Sequence, residues 1–160
     1  MALPQLIAED VQVMDRLLAD LVSRSESLAA ILIDKAGFLI IQSGQSEQFD
    51  ATTLAALAAG SFAATQGMAS VVSEPNFNSV YQQGESYSLL VQNVESDTLL
   101  LIVFAAHVSV GAVKYFANTS VPQVAAQLLA ARERDPSASL DLSMMNMENS
   151  SEFFRKVAQA

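Results

Sequence analysis

A chain of 160 residues, 51% of them hydrophobic, is long enough to bury a core without metal or disulfide support, and the absence of cysteine excludes disulfides and thiolate metal sites. Its net charge of −9, from 17 acidic and 8 basic residues with no basic cluster, argues against a nucleic-acid backbone or an anionic membrane surface as partner. A protein partner, a small molecule or a second copy of the chain remains.

The longest unbroken apolar run, Leu99 to Ala106, falls far short of the roughly twenty residues of a bilayer span. The start, MALPQLIAED, has no basic residue ahead of its acids and no sustained apolar segment, unlike a secretory signal. The expectation is a cytoplasmic protein without membrane insertion.

Leu6, Ile7, Val11, Met14, Leu17, Leu18 and Leu21 recur at spacings of three and four, which predicts an amphipathic helix from Leu6 to Val22. Two apolar runs follow, Leu28 to Ile33 and Phe38 to Ile41, separated by Asp34-Lys35-Ala36-Gly37. They read as a hairpin in which Asp34 accepts a turn hydrogen bond and Gly37 takes positive φ. Both strands are near-continuously apolar, so both faces of the sheet are expected to be covered.

The second helix spans Asp50 to Ser73, with Asp50, or else Thr52 or Thr53, as its cap and Pro75 as its stop. At the helical period Leu54, Leu57, Ala64, Met68, Val71 and Val72 fall on one side, and Ala56, Gly60, Ala63, Gly67 and Ser70 on another. The large residues, Leu54, Leu57, Met68 and Val72, are expected to hold the helix to its own sheet. The small ridge is then free. Each interior glycine costs roughly 1 kcal/mol relative to alanine, which implies a steric reason for keeping it. That reason is either a partner approaching closely or tight packing on the chain's own sheet or on a second copy of the helix.

Strands are predicted at Asn78 to Gln82, Tyr87 to Asn93 and Thr98 to Ala105, as a meander. Helical spacing resumes over Val108 to Ala117 and Pro122 to Arg134, with a kink or a restart at Pro122 and Thr119 or Ser120 capping the second piece. From Asp135 the composition turns polar and methionine-rich, which reads as a flexible extension, residues 135–160, after a domain of residues 1–134. Within it Ser151 to Gln159 could form a short helix with Phe153, Phe154 and Val157 on one side, too short to stand alone. The order amounts to an α+β fold with helices on both faces of a sheet.

No catalytic constellation is legible. Phosphate-binding glycine loops and a G-x-S-x-G elbow are absent, and the single His107 reads as a surface or strand-end residue. No catalytic residue, metal ligand or cofactor site is assigned, and the chain is not read as an enzyme.

The element order and the segments LIDKAGFLI, GQSEQFDATTLAALAAGSFAATQGMA and SVGAVK resemble those of the Roadblock domains, in particular the bacterial MglB proteins. The likeness covers about Leu6 to Leu129 and departs at Pro122 and the NTS before it. It implies an α/β/α sandwich, a five-stranded antiparallel sheet with the middle helix on one face and the terminal helices on the other. It also implies a homodimer with aligned sheets and middle helices, forming a platform for a small Ras-like GTPase of the MglA type in cell polarity or motility. Carried onto this chain, the platform would be Ala56, Ala59, Gly60, Ala63 and Gly67. Phe153 and Phe154 would be tail contacts to the GTPase, and Phe62 would belong to the dimer interface. Because Arg16, Arg24, Arg132, Arg134 and Arg155 are the only arginines, the platform carries no arginine finger, and activation would come from positioning the GTPase's own groups. The alternative is a Roadblock scaffold that links polarity or motility proteins without activating a GTPase.

Overall fold

The structure, a computed structural model, describes residues 4–134. Asp10 opens the first helix, α1 (Ala8–Ser25), by accepting the Ile7 N–H at 2.8 Å, and the helix ends at Glu26 in the left-handed region with φ 54°. Strand β1 (Ala29–Asp34) turns into β2 (Leu39–Gly44) as the spacing requires. Asp34 accepts from the Ala36 N–H through its side chain and from the Gly37 N–H through its carbonyl, and Gly37 has φ +101°. A bulge between Leu32 and Ile33 shifts the pairing of the two strands. A one-turn 3-10 helix at Ser46–Gln48, not expected from the sequence, leads into α2 (Ala51–Val71). Asp50 is the cap of α2, accepting the Thr53 N–H at 3.1 Å and the Thr53 hydroxyl at 2.6 Å.

Strands β3 (Ser79–Gln83), β4 (Tyr87–Asn93) and β5 (Thr98–Ala105) complete the sheet. Its order is β2-β1-β5-β4-β3, antiparallel throughout, with β2 and β3 as edges. The central pair β1 and β5 explains the continuous apolar runs, because alternate side chains enter two different cores. Ala30, Leu32, Leu100, Ile102 and Phe104 pack with Met14, Leu18 and Leu21 of α1 and with Val113, Val124 and Leu128 of α3 (Val110–Glu133). Ile31, Ile33, Val91, Leu99 and Leu101 pack with Ala55, Ala58, Ala59 and Phe62 of α2. The fold is therefore the expected sandwich, with α2 alone on one face and α1 and α3 together on the other. As an edge, β2 is only half covered.

Three expectations are corrected. First, α3 runs unbroken from Val110 to Glu133 with Pro122 inside it, and there is no restart. Thr119 and Ser120 do not cap a second piece; their hydroxyls donate back to the carbonyls of Tyr115 and Phe116 within the helix. Buried Val113 and Ala117 before the proline and Val124 and Leu128 after it fix the helix on the core from both sides, against the roughly 3 kcal/mol that an interior proline costs. Second, unbroken apolar runs underestimate α2. At 21 residues it is long and apolar enough, by length and composition, to cross a membrane, yet here it lies on the sheet through Ala55, Ala58, Ala59, Phe62 and Ala69.

The third correction concerns the side of α2 that meets the sheet. Leu57, Met68 and Val72 do not anchor it: all are exposed, Leu57 at 66% and Met68 at 58%, and Leu54 alone of the four packs partly against the core. The anchoring face is instead alanines around one aromatic ring. Small residues let the helix approach the bulky Ile and Leu side chains of β1 and β5 closely, and size alone misassigns the faces.

Candidate functional site on the outer face of α2

With its alanine face on the sheet, α2 turns two stripes outward. One is the small ridge: Ala56, Gly60, Ala63 and Gly67 are all exposed and follow one another at spacings of four, three and four along one side of the helix. The other is apolar and large: Leu57, Met68 and Val71, the last 85% exposed. The large stripe lies on the flank of Ser61, whose hydroxyl oxygen accepts from the Gln82 side chain of β3 at 3.3 Å.

Open space around the ridge glycines removes one of the reasons a sequence could have for keeping them, tight packing on the chain's own sheet. A Cβ built on Gly60 or on Gly67 meets nothing within 4 Å, so neither glycine is required by packing inside the chain. Gly37 differs. A Cβ there would sit 3.2 Å from the Ala56 Cα, on a backbone already at φ +101°, so the β1–β2 turn is pressed against the first turns of the ridge. Lys35, from the same turn, lies on the ridge's flank, where it lines a hollow together with Ala63.

Two assigned residues lie elsewhere on the helix. Ala59 and Phe62 are each 4% exposed within a single chain and belong to the α2 core. Ala59 supports the ridge from beneath, and Phe62 leaves almost no surface for a second copy to cover. Phe153 and Phe154 lie outside the described residues. Sequence reasoning misses Lys35 because a turn residue gives no periodic signal. One cue is readable: Lys35 is the only lysine or arginine between Arg24 and Lys114.

Below the ridge, Ala59, Phe62, Ala63 and Gln66 of α2 form one wall of a hollow of about 480 Å³. Lys35, Asn93 and the segment Asn76 to Asn78 close it. The Gln66 amide is already engaged, donating to the Phe77 carbonyl at 2.6 Å and accepting its N–H at 3.3 Å. Lys35 Nζ sits 5.8 Å from the centroid of the Phe62 ring. Burial lowers the Lys35 pKa from its ordinary value, and the charges of Asp97 and Glu95 oppose that shift.

Three arginines of the other face are held by carboxylates. Arg132 donates to both Glu95 carboxylate oxygens, at 2.5 and 2.7 Å, and Arg134 grips Asp10 at 2.7 and 2.8 Å. Arg24 reaches Asp20 and lies over the Phe116 ring. Every arginine among the described residues belongs to α1, to α3 or to the α3 cap, across the sheet from α2. His107 is exposed between β5 and α3, and among the described residues no group of His, Asp and Glu is arranged to hold a metal. The outer face of α2 thus offers close approach, an apolar margin and, among the described residues, a single cation beside it.

Comparison with known proteins agrees with this architecture. Residues 14–104 match the Roadblock/LC7 domain. Among solved structures the chain is similar to MglB of Myxococcus xanthus, with TM-score 0.75 and 25% identity over 81% of this chain and 98% of that one. It is also similar to an MglB with a tetrameric arrangement, with TM-score 0.74 and 26% identity over 80% and 96% of the two chains. The gliding protein MglB of Thermus thermophilus superposes with TM-score 0.72 and 26% identity over 79% and 96%. No curated protein sequence matches. With the domain match spanning more than half of its length and its five-stranded sheet held between α2 and the α1–α3 pair, this chain belongs to the Roadblock/LC7 family.

Proposed function

We propose that this Roadblock protein is a homodimeric regulator of a small Ras-like GTPase of the MglA type, which docks on the α2 ridge. The observation that carries the reading is the pair of glycines, Gly60 and Gly67, kept in a helix interior where the chain's own packing leaves their Cβ positions open. Ala56 and Ala63 extend the ridge. The likeness to MglB proteins supplies the class of partner. In the dimer, the exposed stripe of Leu57, Met68 and Val71 and the edge strand β3 supply the surface between copies, because an uncovered apolar stripe and an unpaired strand edge both favour association. Phe62 acts indirectly, by seating α2 on the sheet.

Activation proceeds without an arginine supplied by the folded domain, since the described arginines lie across the sheet and most are paired with carboxylates there. Stimulation then comes from ordering the GTPase's own catalytic groups, and is smaller than the roughly thousandfold or greater effect of an arginine finger. The protein acts in the cytoplasm, in polarity or motility, and needs no cofactor. The test combines sedimentation with GTP hydrolysis by the MglA-type GTPase of the same genome. A dimer that forms a complex and raises the rate is expected. A complex with an unchanged rate identifies the non-activating scaffold instead, and the absence of any complex rejects both.

A further inference from the structure

Resting on that reading, we propose that the hollow beneath the ridge receives a carboxylate side chain of the docked protein, with Lys35 Nζ as its counter-charge. Three observations point there. The hollow is continuous with the docking face, because Ala63 is both a ridge residue and part of its wall. Its polar lining is one ammonium group and amides, and among the described residues no carboxylate contributes to it. Lys35 is also the only lysine or arginine among the described residues that lies outside α1, α3 and the α3 cap, in a chain whose net charge is −9.

Elsewhere on such a surface an approaching acid meets net repulsion; at this hollow it meets a cation already stripped of part of its water. The two acids whose charges act on it, Asp97 and Glu95, are shared with Arg132, which holds both Glu95 oxygens and lies 3.8 Å from Asp97. The Lys35 main chain is fixed as well, its N–H donating to the Asp97 carbonyl at 3.0 Å. The Phe62 ring, in the same hollow, lies 5.8 Å from the ammonium. Docking would exclude water from the pair, and excluded water strengthens an ion pair that is weak on an open surface.

The experiment titrates the MglA-type GTPase, loaded with a non-hydrolysable GTP analogue, against full-length wild type, Lys35→Gln and Lys35→Glu at low and high salt. Lys35→Gln is expected to weaken binding about tenfold and Lys35→Glu by more. The loss should shrink as salt rises, a response that a purely structural role of the lysine would not give. Equal binding by all three proteins, with the ridge variant Ala63→Arg/Gly67→Arg failing to bind, would overturn the carboxylate pocket and leave the docking face standing. No binding by wild type would overturn both. A free dicarboxylate, succinate, is the control. If succinate stabilises wild type but not Lys35→Gln while GTPase affinity stays the same in both, the pocket serves a small acid and the proposal fails.

Discussion

Arginine at both Ala63 and Gly67 is expected to abolish docking of the GTPase while leaving the fold at least as stable as wild type. Both positions are exposed, and the Gly67 Cβ position is open, so two long side chains can leave the helix without displacing core residues. Arginine is also a better helix former than glycine by most of 1 kcal/mol, so thermal unfolding should hold or rise. Docking suffers because a surface that fits two bare turns of helix meets two guanidinium groups instead. A loss of about 2–4 kcal/mol, typical when the centre of an interface is disrupted, is roughly 30-fold to 1,000-fold in affinity. Calorimetric titration alongside thermal unfolding separates this outcome from a folding defect, and unchanged affinity would place the partner elsewhere.

Removing the carboxylate of Asp10 is expected to produce the largest stability loss among the polar residues. Asp10 is fully buried and accepts four hydrogen bonds, from Ile7, Gln127 and two Arg134 nitrogens, tying the start of α1 to the end of α3. Breaking a buried pair from one side costs about 3–5 kcal/mol, but the Arg134 side chain is 28% exposed and can turn to water, which reduces the expected cost of Asp10→Ala to about 2 kcal/mol. In a chain of this size that lowers the melting temperature by roughly 4–8 °C. The pH dependence has a defined sign. Bonds from Arg134 hold the Asp10 carboxyl well below the usual carboxylate range, against the opposing effect of burial. Its contribution is therefore complete above the unfolded-state value of about 3.9 and is lost as pH falls below that toward the folded-state value. Asp10→Ala should accordingly lose stability less steeply than wild type between about pH 4 and pH 2. Parallel acid denaturation curves for the two proteins would contradict this.

Much of the fold is legible in the sequence because its signals are local. Asp34 and Gly37 define the hairpin turn, Asp50 caps α2, and the spacing of Met14, Leu18 and Leu21 defines α1. The alternation of β1 and β5 between two cores is implied by their unbroken apolar runs. The continuity of α3 is not readable, since Pro122 is tolerated only because residues on either side of it are buried on the core. The orientation of α2 is not readable either. Its pattern contains two apolar stripes, one of alanines around Phe62 and one of Leu57, Met68 and Val71, and residue size favours the wrong one. Sheet packing selects the smaller side chains because the facing Ile and Leu residues already fill the space. The ridge itself survives this reassignment: Ala56, Gly60, Ala63 and Gly67 share one exposed flank in the fold as in the helical projection, whereas Ala59 drops into the core. Lys35 reaches that flank from the β1–β2 turn, where Gly37 lies against Ala56, a tertiary fact with no periodicity to announce it.

The central claim is that Gly60 and Gly67 are kept for a partner. Its most direct measurement is the paired stability and GTPase affinity of Gly60→Ala/Gly67→Ala. Two added methyl groups meet no atom of the chain within 4 Å, so each alanine should stabilise the helix by about 0.5–1 kcal/mol. Against a closely fitted partner the same methyl groups overpack the interface, at about 1–3 kcal/mol, and affinity should fall by roughly tenfold or more. Higher stability with weaker GTPase binding is the predicted result, and higher stability with unchanged binding would contradict the account.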